Sequence, residues 1–183
     1  IAHTLHYARS ETDIKKIEIL GDDINSVKVN DFLFPETCDL YFGPKFLRRI
    51  LKNLITKCNK LGIQILEIPL VDSSSLKTKD NKIEFFNNIH KILSHAEENN
   101  VILNLETDLP PLQFKEFLKS FNNPNLRANY DVGNSTSLGY DIHEELTVLG
   151  DFITNIHIKD RLLHGTTVPF GTGDTNFELF FET

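Results

Sequence analysis

Apolar residues recur with helical spacing at Phe46, Leu47, Ile50, Leu51, Leu54, Ile55, Cys58 and Leu61. Pro44 near the start of that stripe and Gly62 just past its end bracket a helix. Ile63 to Val71 is a short run rich in Ile and Leu, and predicts a buried strand. The alternation then repeats. A helix is expected over Asp80 to Asn100, with Ile83, Phe86, Ile89, Leu93 and Ala96 on one face, and a strand over Val101 to Leu105. A shorter helix is expected over Pro110 to Phe121, a strand over Leu126 to Val132 and a helix over Ile142 to Leu149. A strand over Phe152 to Ile158 follows, and a further helix begins at Asn176 to Phe181. Upstream, the pattern predicts a strand at Ile24 to Val29 and a helix at Asp13 to Leu20.

The four clear strands start near positions 63, 101, 126 and 153, the spacing of βα units. They are continuous apolar runs, which predicts burial on both faces, as in a parallel sheet covered by helices. Nothing divides the chain, so residues 1–183 read as one α/β domain. Two architectures fit this pattern, an open doubly wound sheet and a (β/α)8 barrel. The Gly-rich nucleotide fingerprints of the first are absent; the closely spaced Gly171 and Gly173 follow a long loop rather than a strand. Periodicity does not separate the two further.

Composition narrows the function classes. Lys and Arg number 19 against 26 Asp and Glu, a formal net charge of −7, with 40% hydrophobic and 25% charged residues. This is a globular mix and not a disordered one. No apolar run approaches the roughly 20 residues that cross a bilayer, so no membrane association is expected. The acidic balance argues against a nucleic-acid partner. Cys38 and Cys58 form no CxxC pair and read as free thiols in a reducing compartment. His3, His6 and Arg9 interrupt any leader-like apolar stretch, so the expected location is cytoplasmic. The chain contains no Met and begins at Ile1, and is read as a piece of something longer.

The strand ends carry the candidate chemistry. In order they are Glu67 with Asp72, Glu106 with Asp108, Asp131 with Asn134, and His157 with Lys159 and Asp160. In a parallel barrel, reactive groups gather at the C-terminal ends of strands. Three successive strands ending in Glu106, Asp131 and His157 offer carboxylate and imidazole donors suited to one divalent ion such as Zn, Mn or Co. Singly, each has a plainer explanation. A strand-end carboxylate commonly caps the next helix, Asp131 beside Gly133 is suited to ordering a turn, and a His between two Ile is commonly a hydrogen-bonded interior residue. The remaining His residues form no ligand spacing, and the 14 Phe read as core.

The motifs Tyr130-Asp-Val-Gly-Asn134, Leu138-Gly-Tyr-Asp141, His157-Ile-Lys-Asp160 and Val168-Pro-Phe-Gly-Thr-Gly173 with Phe177, in this order, resemble the sugar phosphate isomerases and epimerases of the xylose-isomerase-like TIM-barrel superfamily. The likeness to L-ribulose- and L-xylulose-5-phosphate 3-epimerases runs from about Ser26 to Thr183 and is strongest from Leu103 onward. It implies a (β/α)8 TIM barrel with its first and last strands missing from this chain, since such barrels take about 250 residues. It implies metal ligation by Glu106, Asp131 and His157, with a fourth ligand, a second Glu, beyond Thr183. It implies that Glu106 moves a proton beside a ketose carbonyl through a cis-enediolate, that Asn134 and Lys159 contact substrate oxygens, and that the partner is a small sugar or sugar phosphate. Arg161 and the loop from Leu162 to Thr175, with its three glycines, are placed to close over such a site, and homo-oligomers are common in the family. The alternatives from other classes are a non-catalytic or degenerate barrel and, less favoured, an apurinic-endonuclease-like DNA repair enzyme, which needs a basic face and more metal ligands.

Overall fold

A computed structural model describes residues 4–6, 26–28 and 44–183. Its centre is a six-stranded, all-parallel sheet. The strands are β1 (Thr4–His6), β2 (Ser26–Lys28), β3 (Ile65–Leu70), β4 (Ile102–Thr107), β5 (Leu126–Asp131) and β6 (Ile153–His157). Their spatial order is their chain order, so each pair is joined by a crossover that returns the chain to the same end, as in a barrel wall. The helices are α1 (Pro44–Lys60), α2 (Lys79–Glu98), α3 (Pro111–Phe121), α4 (Val132–Leu138), α5 (Ile142–Leu149) and α6 (Phe177–Glu182).

The four expected strands and their helices lie where the hydrophobic pattern puts them. The upstream strand is Ser26–Lys28, and Thr4–His6 supplies one more in a stretch where the apolar pattern predicts none. The expected helix over Asp13 to Leu20, and Cys38, lie outside the described residues. The short helix α4 was not expected. Asp131 caps it by accepting the N–H of Asn134 at 2.9 Å, and Gly139 ends it with a left-handed φ of 78°.

The helices bury their apolar stripes on the outer face of the sheet. Leu51, Leu54, Ile55 and Cys58 of α1 and Phe85, Ile89 and Ile92 of α2 meet Leu66, Ile68, Leu103 and Leu105. Phe85, fully buried, lies edge-on to Phe121 and tilted against Phe117 of α3. β3, β4 and β5 are buried on both faces as expected, but β6 is not, since Ile156 on its outer face is 44% exposed; in the buried strands the two faces differ. The inner face carries Glu67, Asn104, Glu106, Asn129 and Asp131, all buried. Among the described residues no helix is long and apolar enough to cross a membrane.

Cys58 is buried, and burial, slightly offset by a backbone hydrogen bond, pushes its thiol up to about 12, so it is inert. Two of the histidines without ligand spacing, His90 and His95, have contacts with neighbouring helix residues. His90 stacks on Phe86, and His95 Nε2 lies 3.0 Å from Thr56 Oγ1.

Candidate metal centre

Side chains alternate along a strand, so residues two apart share a face. Pairing of Pro69 with Glu106 and of Asp131 with His157 brings the strand ends level. His157 is the hub. Its Nδ1 lies 3.6 Å from Glu106 Oε2 and 3.7 Å from Asp131 Oδ2, and its Nε2 lies 3.0 Å from Glu67 Oε2. The expected trio of Glu106, Asp131 and His157 thus converges in space. Glu67, from β3 next to the strand of Glu106, joins it.

Asp131 uses its two oxygens differently. Oδ1 caps α4, while Oδ2 faces His157 and takes the Lys159 ammonium at 2.7 Å. Lys159, expected as a substrate contact, is therefore seated on a carboxylate of the cluster. The close approach that seats it depends on Gly133, where a Cβ would stand 2.5 Å from Lys159 Cγ and 2.6 Å from its carbonyl oxygen. Asn134 reaches the cluster too. Its Nδ2 donates to Glu106 Oε1 at 2.5 Å, and its Oδ1 accepts from Arg161 Nη1 at 2.7 Å.

Buried carboxylates repel each other and lose hydration, so they need positive charge nearby. Here His157 supplies part of it. Burial works against its charged form, but the surrounding carboxylates of Asp131, Glu106 and Glu67 outweigh that and raise it to about 11. The same donors suit a divalent cation. Ligand atoms around a tetrahedral ion at zinc-like bond lengths stand roughly 3.4 Å apart, close to the separations of His157 Nδ1 from Glu106 and Asp131. Among the described residues, Glu67, Glu106 and His157 form a group whose donor atoms all lie within 4.8 Å of one another; Asp131 is not in that group and adjoins it through His157 Nδ1.

The loop after β6 is a pinned hairpin. β7 (Asp160–Arg161) pairs antiparallel with β8 (Thr167–Val168). Asp160 accepts the N–H groups of Gly171 at 2.8 Å, Gly173 at 2.9 Å and Thr175 at 3.2 Å. Burial disfavours its charge, yet these donors hold it below the usual carboxylate range. A Cβ on Gly173 would collide with the Asp160 carboxylate, so this glycine serves close approach rather than the movement expected of it. Arg161 turns back under the hairpin to Asn134 and to the Gly165 carbonyl.

Glu67 is among the strand-end candidates but has no assigned role in the expected site, and Asn129 is not among the candidates. Each had a signal: Glu67 is a lone carboxylate inside the run Ile65-Leu66-Glu67-Ile68, and Asn129 lies two before Asp131 and shares its face.

Solved structures share this fold. A xylose isomerase domain protein from Planctomyces limnophilus superposes with a TM-score of 0.73 at 18% identity, over 97% of this chain and 73% of its own. A xylose isomerase-like TIM barrel protein from Mycobacterium smegmatis, in complex with magnesium, gives 0.73 at 16% identity, over 99% and 71%. An L-ribulose 3-epimerase gives 0.66 at 18% identity, over 92% and 60%. Comparison with curated proteins finds no match. The sequence model of one family matches residues 44–183, the segment that carries every residue of the cluster. The chain belongs to the xylose isomerase-like TIM barrel family.

Proposed function

We propose that this chain carries the metal site of a sugar epimerase or isomerase, acting on a small ketose or ketose phosphate. The observation that supports it best is the convergence of Glu106, Asp131 and His157 from three successive strand ends, with His157 Nδ1 3.6 and 3.7 Å from the two carboxylates. These three would hold the ion. Glu67, 3.0 Å from His157 Nε2, would fix the ring so that Nδ1 faces the other ligands. The magnesium complex of the Mycobacterium smegmatis relative and the epimerase name of another relative support the same reading.

A divalent ion bound there supplies Lewis acidity that makes the proton beside a ketose carbonyl easier to remove. Glu106 takes that proton as a general base and returns it, through a cis-enediolate of the sugar. Its carboxylate is aimed by amide donors on both oxygens, from Asn134 and Asn129. Asn134 and Lys159 stand at the rim, where they can meet substrate hydroxyls. Inversion at carbon needs a second acid–base group on the opposite face; return of the proton to the neighbouring carbon from the same face gives isomerisation instead.

The test is solvent exchange. Full-length protein loaded with Mn²⁺ is incubated in D2O with a panel of ketoses and ketose phosphates, and deuterium at the carbons flanking the carbonyl is followed by NMR. Exchange that is abolished by Glu106→Gln is expected. No exchange with any member of the panel would overturn the proposal.

A further inference from the structure

The inner face of β6 contains an irregularity. Ala128 pairs with Ile153 but Asn129 pairs with Asn155, so Thr154 is one extra residue in β6, a β-bulge. The bulge lets two successive side chains bond to inner-face residues: Thr154 Oγ1 donates to Asn104 Oδ1 at 2.7 Å, and Asn155 Nδ2 donates to Asn129 Oδ1 at 2.6 Å. Asn129 is buried and donates through Nδ2 to Glu106 Oε2 at 3.1 Å. A carboxylate only accepts, which favours the NH2 of Asn129 toward Glu106 and its oxygen toward Asn155; the same Nδ2 also stands 3.3 Å from His157 Nδ1. The arrangement mirrors the other side of Glu106, where Arg161 holds the oxygen of Asn134 and the NH2 of Asn134 faces Glu106 Oε1.

We infer that Asn129 and Asn155 are positioning residues that set the plane of the Glu106 carboxylate, with Asn155 acting only through the amide of Asn129. The inference rests on the proposed role of Glu106 in proton transfer, but its structural half can be tested without activity. The deciding variant is Asn155→Asp, which keeps the shape of Asn155 and reverses its polarity. Its carboxylate draws the NH2 of Asn129 toward itself and turns the Asn129 oxygen against Glu106.

In full-length protein, Asn155→Asp and Asn129→Leu are each expected to lower kcat at least tenfold with KM changed less than threefold. The double variant is expected to be no slower than Asn129→Leu alone, because both act on one carboxylate. Crystal structures of the two single variants are expected to show a rotated Glu106 carboxylate on an unchanged β4 backbone. Asn155→Leu, which adds no charge, serves if Asn155→Asp does not fold, with the same expectations. An unrotated Glu106 in these variants overturns the inference whatever the activity. So do multiplicative kcat effects. If wild-type protein exchanges no substrate proton, the proposed function falls, while the rotation of Glu106 still decides the positioning role.

Discussion

His157 Nε2 lies 3.0 Å from Glu67 Oε2, which ties the sixth strand of the sheet to the third across the inner face. This contact uses one ring nitrogen and leaves the other toward Glu106 and Asp131. A carboxylate behind a ligating imidazole fixes its ring orientation and raises its basicity. Replacing Glu67 by Gln keeps the size and removes the charge. Calorimetric titration with Mn²⁺ should show affinity falling about 10- to 100-fold, with the far-UV circular dichroism unchanged.

Glu145 of α5 gives a pH-dependent stability. It is buried beneath β5, where it accepts from Tyr130 Oη at 3.0 Å and Ser135 Oγ at 2.9 Å. Burial raises it to about 7, with the two donors opposing and Asp141 and Glu144 adding to the rise. A carboxyl group raised above its unfolded value near 4.5 stabilises the fold fully below that pH, and this contribution is lost as pH rises through about 7. The loss amounts to roughly 3 kcal/mol across that window. Urea titrations at pH 4.5 and pH 8 should show wild type losing this much relative to Glu145→Gln, in which the titration is absent.

Gly133→Ala would press a methyl group into the backbone and stem of Lys159. The neighbour at 2.6 Å is a carbonyl oxygen, which cannot swing aside as a side-chain end can. A loss of about 1–3 kcal/mol in denaturant unfolding is expected, as for overpacked cores.

The core makes a sharper distinction. Phe85 is fully buried against Phe117 and Phe121, and its replacement by Ala should cost about 3–5 kcal/mol. Ile83, two residues earlier on the same helix, is 48% exposed, although the helical pattern places it with the apolar face. Ile83→Ala should change stability by about 0.5 kcal/mol or less. Parallel urea melts of the two variants check both values.

Much of this arrangement was legible one strand at a time. The apolar runs at β3 to β6 and the stripes of α1, α2 and α3 are local signals, because burial acts on each segment with its own period. The polar strand ends were legible for the same reason. Glu106, Asp131 and His157 each stand at the end of a strand, and His157 must point away from Ile156 and Ile158. α4 was missed because its start is set by the Asp131 cap rather than by an apolar stripe.

By itself, then, the sequence determined the βα alternation and which residues each strand presents at its end, since side-chain direction along a strand depends only on the count of residues. Only the tertiary structure decided the distances between strands. Stagger and the bulge at Thr154 set which residue of one strand meets which of the next. That register brought Glu67 to His157 and Asn155 to Asn129, and close packing at Gly133 seated Lys159 on Asp131. Each is a contact between residues distant in the chain, fixed by hydrogen-bonded pairing and excluded volume rather than by any local preference.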